Sequence, residues 1–164
     1  MSMQAMEGVI AVDDPRAEDV RALLAVHLAF ARANSPPEDV HALDVDDLVD
    51  PAVTFFSYRA DGRLIAIGAL RHLDREHGEL KSMHTAREAR GRRVGRAMLA
   101  HLIAEARARG YQRLSLETGT MAAFAPARAI YAEAGFVPCE PFGSYFHSPN
   151  SVCMTLALGS PETP

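Results

Sequence analysis

Thr85-Ala86-Arg87-Glu88-Ala89-Arg90-Gly91-Arg92-Arg93-Val94-Gly95-Arg96-Ala97 joins two segments of different hydrophobic period. Before it, Gly78 to Thr85 reads as a strand that starts after the polar stretch Asp74-Arg75-Glu76-His77. After it, Val94, Met98, Leu99, Leu102, Ile103 and Ala106 fall on one side of a helix, which Gly110 closes. A turn from strand into helix presents unpaired backbone N–H groups and the positive end of the helix dipole, which together hold an anion. Gly91 and Gly95 let the backbone curl toward a ligand, and the arginines add attraction and forked hydrogen bonds. This chemistry suits a diphosphate. The glycine spacing fits neither a P-loop nor a Gly-x-Gly-x-x-Gly dinucleotide loop.

Outward from this turn, Val53 to Ala60, Asp61-Gly62 and Leu64 to Leu70 predict an antiparallel hairpin. Val9 to Val12 is a strand candidate. A helix is expected to start at Asp13-Asp14-Pro15, bury a stripe of Val20, Leu23, Leu24, His27, Leu28 and Ala31, and stop at Ser35-Pro36-Pro37. Leu43 to Val49 predicts a short second helix with acidic residues near its start. Leu114 to Glu117 reads as a strand, Pro126 to Ala134 as a helix ending at Gly135, and Val152 to Leu158 as a last strand. Only Gly159 to Pro164 remains as a tail. The order βα(α)βββαβαβ is an α/β chain with an antiparallel first half.

The chain has 164 residues, 48% of them hydrophobic and 23% charged, which suits one domain with a sizeable core. No apolar run is long enough for a membrane span, and the N-terminal residues lack the pattern of a secretory signal, so a soluble cytoplasmic protein without membrane partners is expected. Cys139 and Cys153 are then expected as reduced thiols without a catalytic role. The net charge of −4 argues against nucleic acid as a partner. Arg87, Arg90, Arg92, Arg93 and Arg96 form a local anion site within a mildly acidic chain.

Arg90-Gly91-x-x-Val94-Gly95-x-Ala97, a helix ending in Arg109-Gly110-Tyr111, a strand, and then Ala127-Arg128-Ala129-Ile130-Tyr131-Ala132-Glu133-Ala134-Gly135-Phe136 resemble the GCN5-related N-acetyltransferases (GNAT). The stretches Glu79 to Met83, Leu114 to Gly119 and Pro149 to Val152 are similar to the bacterial YsnE-type branch. The resemblance implies a single α/β GNAT-like domain over 1–164, with a mostly antiparallel sheet of about six or seven strands and about four helices. The sheet would splay between the strands ending near Thr85 and Thr118. A cofactor-binding core would span about 78–137, with acceptor-pocket elements at about 16–60 and 138–151.

By the same resemblance the cofactor is acetyl-CoA, and the chain is an acetyltransferase acting by direct attack of a small-molecule or peptide amine, as a monomer or homodimer and without a metal. A non-catalytic acyl-CoA-binding regulatory module is the alternative. Cofactor contacts are expected from Met83, His84 and Thr85, from Arg90, Gly91, Arg92, Arg93, Val94, Gly95, Arg96 and Ala97, and from Ala127 and Arg128. Arg93 replaces the middle glycine of the family's loop; a negative φ is expected there, leaving the N–H donor and adding a charge. Phe124 stands where the family often has an asparagine, which makes that contact apolar. Tyr131 is expected to protonate the departing sulfur, and Glu79 to act as general base, with Glu117 the second candidate. His41, Phe56, Glu117 and Tyr145 are expected near the acceptor.

Overall fold

The computed structural model describes residues 8–159; the first seven residues and the tail from Ser160 lie outside them. β1 (Val9–Val12), β2 (Val53–Ala60), β3 (Arg63–Asp74), β4 (His77–Thr85), β5 (Arg113–Gly119), β6 (Val137–Cys139) and β7 (Ser151–Ala157) build one sheet. Its strand order is β1-β2-β3-β4-β5-β7-β6. Only β4 and β5 pair in parallel; every other neighbouring pair is antiparallel. The helices are α1 (Glu18–Asn34), α2 (Val45–Leu48), α3 (Val94–Ala108) and α4 (Ala125–Glu133).

The sheet is covered on both faces because its central strands are apolar at odd and even positions alike. Phe55, Ile67 and Ala69 join Val20 and Leu24 of α1 and Leu48 of α2 in one core. Phe56, Ala66 and Leu70 join Met98, Leu99 and Leu102 of α3 in the other. Phe56 is 2% exposed and meets the His101 ring of α3 edge-on at 5.3 Å. The expected acceptor-pocket role of Phe56 is therefore corrected: alternation along β2 turns its ring into the α3 core.

α1 starts at Glu18, after a turn, and not at Asp14, because Asp14 spends its carboxyl on Arg16 (2.9 Å to the backbone N–H) and no side chain caps the helix. α2 is the expected short helix, closed by a capping box between Asp44 and Asp47. β6 was not anticipated. It is three residues long, includes Pro138 and occupies the sheet edge, the position at which a strand tolerates proline.

Candidate active site

β4 and β5 are paired only from His77↔Arg113 to Glu79↔Ser115. Beyond that point they part, as expected for strands ending near Thr85 and Thr118. A bulge widens the gap: Ile67 pairs with His84 and Ala69 with Lys81, so Ser82 and Met83 both stand opposite Gly68. Ser82 takes a positive φ of 57° to make this possible. The wedge between the strands opens into a cavity of about 740 Å³, within the size range of small-molecule sites.

At one end of the cavity lies the arginine-rich turn. Gly91 has φ 77°, and Arg90, Gly91, Arg93, Val94, Gly95 and Arg96 line the wall. The first bond within α3 runs from the Ala97 N–H to the Arg93 carbonyl, and no side chain caps the helix. The N–H groups of Val94, Gly95 and Arg96 thus have no acceptor within the helix, at the end where the dipole is positive. The expected negative φ at Arg93 is corrected: the residue is left-handed, at φ 61° and ψ 19°. A side chain in this conformation costs about 1 kcal/mol.

The other expected cofactor residues divide by position. Met83, His84 and Thr85 line the cavity along the β4 edge that β5 has left, and Ala127 lines it from α4. Phe124 is also on the wall, its ring 5.2 Å from that of Phe30. Arg92 is exposed and away from the lining residues. Ala97 packs against the α3 core. Arg128 donates to the carbonyls of Gly119 (2.7 Å) and Met121 (3.0 Å) and braces the loop before α4. Arg96 reaches the Glu133 carboxylate at 2.8 Å, clasping α3 to α4.

Tyr131 lines the cavity from α4. It is 9% exposed, and burial pushes its phenol up to about 12. Beyond it lies a polar end. Glu117 of β5 lines the wall, accepts from the Ser151 hydroxyl at 2.9 Å and lies 3.5 Å from His41 Nε2. Burial lifts the Glu117 carboxyl to about 7, against the lowering effects of Ser151 and Lys81. His41 is pushed below its ordinary value by burial and by Lys81, so the pair is closer to a neutral imidazole beside a half-ionised acid than to a full salt bridge.

Glu79 is arranged differently. It is 2% exposed and absent from the cavity wall. Tyr145 donates its hydroxyl proton to Glu79. Lys81 in turn donates to the Tyr145 oxygen at 2.7 Å and to the His41 carbonyl at 3.2 Å, and lies 3.5 Å from Glu79. Burial and Glu79 raise the Tyr145 phenol strongly. Tyr145 also packs edge-on against His41 at 4.9 Å. Glu79, Lys81 and Tyr145 therefore form one network, in which Glu79 is buried and off the cavity wall while Lys81 lines the cavity.

Three buried polar side-chain atoms among the described residues have no hydrogen-bond partner: Asp39 Oδ1, Ser82 Oγ and His84 Nε2. All three residues line this one cavity. Leaving such groups unsatisfied costs about 1–3 kcal/mol each. Asp39, Ser82 and Lys81 were not singled out by sequence. The Pro-Pro before Asp39 reads as a helix stop, a bulge at Ser82 leaves no compositional mark, and Lys81 reads as an exposed strand residue beside Glu79. His27, read as part of the buried stripe of α1, also lies on the wall and contacts His84 Nδ1 to Nδ1 at 3.1 Å.

A bulged β4 parting from β5 above an uncapped, arginine-flanked helix start defines the class. The family model described as "Acetyltransferase (GNAT) family" matches residues 20–136, and the chain belongs to that family. It is 46% identical over 149 residues to the N-acetyltransferase YsnE of Bacillus subtilis, itself uncharacterized, covering 91% of this chain and 99% of that one. Among solved structures, a Klebsiella pneumoniae protein assigned as an acyl-CoA N-acyltransferase superposes with a TM-score of 0.77 at 26% identity, covering 95% of this chain and all of that one. A GNAT family acetyltransferase of Elizabethkingia anophelis, solved with acetyl-CoA bound, has a TM-score of 0.68 at 15% identity over 92% of this chain and 97% of that one.

Proposed function

We propose that this chain transfers the acetyl group of acetyl-CoA to a primary amine by direct attack, with Glu117 as general base and Tyr131 as general acid. The observation that carries the reading is that an acid poised near neutrality and a buried phenol line the same cavity as the free α3 N-terminus. The residues present fit the cofactor. The N–H groups of Val94, Gly95 and Arg96 suit its pyrophosphate, with Arg90 and Arg93 adding charge. The β4 edge at Met83 to Thr85 suits its amide-bearing arm as an added strand would, and its N–H groups suit polarisation of a carbonyl.

Acetyl-CoA supplies the activated thioester. Glu117 takes a proton from the incoming ammonium, directly or through one water, at a working pH close to its own value. Tyr131 stays protonated at neutral pH, gives its proton to the departing sulfur, and is reprotonated by the second proton that the nitrogen sheds after attacking the carbonyl; Glu117 passes the first to solvent. A thiolate has an ordinary value of about 8.5, below that of Tyr131, but the burial that raises the phenol raises a thiolate in the same place. Glu117 replaces Glu79 as the first choice of base because Glu79 is sealed behind Tyr145 and Lys81.

Calorimetric titration with acetyl-CoA and CoA tests the cofactor half of the reading. Binding of both, weakened by Arg90→Ala, is expected; absence of binding to either would overturn it. Binding without thiol release on any amine would favour a regulatory module over an enzyme.

A further inference from the structure

The polar end of the cavity is organised by two consecutive residues. Asn150 Nδ2 contacts Asp39 Oδ2 at 3.4 Å, and Ser151 Oγ donates to Glu117 Oε2 at 2.9 Å. Asn150 and Ser151 are neighbours in the chain and so bring the two carboxyl groups toward one place, where the Asp39 charge acts on both His41 and Glu117. Asp39 is 6% exposed, lines the cavity and keeps its second oxygen, Oδ1, without a partner. An orphaned carboxyl oxygen at a cavity wall calls for an N–H donor arriving with the ligand.

The cation present at this end does not answer that need. Lys81 is committed to the His41 carbonyl, the Tyr145 oxygen and Glu79. Asp39 and Glu117 on the cavity wall, with Glu79 buried beside them, thus share one ammonium. An acceptor carrying a carboxylate beside its amine would meet repulsion here, and Lys81 has no free donor to receive it. We propose that the acceptor is a small amine bearing a second cationic nitrogen, an ammonium or guanidinium, which Asp39 binds while the nitrogen to be acetylated meets Glu117. The proposal rests on the amine-acetyltransferase reading above and assigns Asp39 as the residue that selects the acceptor.

Three probes of matched length separate the possibilities: diaminopentane, pentylamine and aminopentanoate, with the corresponding butane and hexane series. Two readouts are taken, calorimetric binding to the CoA-loaded protein and kcat/KM for thiol release from acetyl-CoA. The wild-type protein is expected to favour the diamine over the monoamine by about tenfold or more, the range of a charge-assisted hydrogen bond, and to rank the amino acid last. Asp39→Asn, which preserves shape, is expected to bring the diamine-to-monoamine ratio close to one. Equal use of diamine and monoamine by the wild type, or preference for aminopentanoate, overturns the assignment without reference to any variant. An Asp39→Asn ratio equal to that of the wild type also overturns it. If the amines bind in the expected order and no thiol is released, the Asp39 assignment stands and the transfer reading fails.

Discussion

Glu117 Oε2 lies 3.5 Å from His41 Nε2, at a point where burial has raised the carboxyl to about 7 and lowered the imidazole. A general base must be unprotonated, so kcat/KM is expected to rise with pH through about 7 and then level off. Glu117→Gln is expected to remove that ascending limb and to lower kcat by about a hundredfold or more. The stability effect has the opposite sign. The folded value lies above the ordinary 4.5, so the carboxyl costs the fold stability as pH rises through 7. Glu117→Gln is therefore expected to be the more stable protein at pH 8, measured by urea unfolding.

Tyr131→Phe keeps the ring that packs 6.0 Å from Phe136 and removes only the hydroxyl. Acetyl-CoA affinity is expected to be retained within about threefold, while kcat falls by about a hundredfold. Matched calorimetry and initial-rate measurements check this split between binding and turnover.

Tyr145 holds Glu79 and Lys81 in one buried network. Tyr145→Phe leaves both charged groups short of a partner and is expected to cost about 1–3 kcal/mol in chemical denaturation. Because Glu79 is screened from the cavity, Glu79→Gln is expected to act through this network: it lowers stability and leaves the pH midpoint of kcat/KM near 7. Loss of the ascending limb in Glu79→Gln, with its survival in Glu117→Gln, would reverse the assignment of the base.

Arg93 is left-handed at the start of α3. Arg93→Gly and Arg93→Ala both remove the charge, so the difference between them isolates the backbone. The glycine variant is expected to be more stable by about 1 kcal/mol, while the two lose similar affinity for CoA. Equal stability of the two would contradict the strained conformation.

His27 and His84 touch through their Nδ1 atoms, and burial lowers both to about 4 from an ordinary 6.5. The unfolded chain therefore binds more protons than the folded one between these values. The contribution of this pair is full above about pH 6.5 and is lost as pH falls toward 4, and with two imidazoles it outweighs the opposite contribution of Glu117 over that range. A titration of unfolding free energy over this range should show that decline, and His27→Leu should flatten it.

The strands and helices that carry strong periodicity were legible in the chain: β2, α3 and the β4 approach to the arginine turn fall where their patterns place them. The short edge strand β6 was not, since three residues around a proline carry no alternation. At the site, the strand-to-helix turn was readable from local spacing, whereas the role expected of Tyr131 came from the family resemblance. The acceptor end was only partly so. Phe56 and Glu79 each sit on a strand covered from both sides, and which face a strand residue meets depends on partners distant in sequence, such as α3 for Phe56 and Tyr145 for Glu79. Asp39 gained its meaning from Asn150, 111 residues away.

The central claim is that Glu117 and Tyr131, lining one cavity, supply both proton transfers for acetyl transfer to an amine. Thiol release from acetyl-CoA, followed over a panel of amines and matched monoamine–diamine series from pH 5 to 9, tests it most directly. Amine-dependent release that rises through about pH 7 and is lost in both Glu117→Gln and Tyr131→Phe is the predicted result. Amine-dependent release that survives in either variant at the wild-type rate, or tight acetyl-CoA binding with no release on any amine, would contradict it.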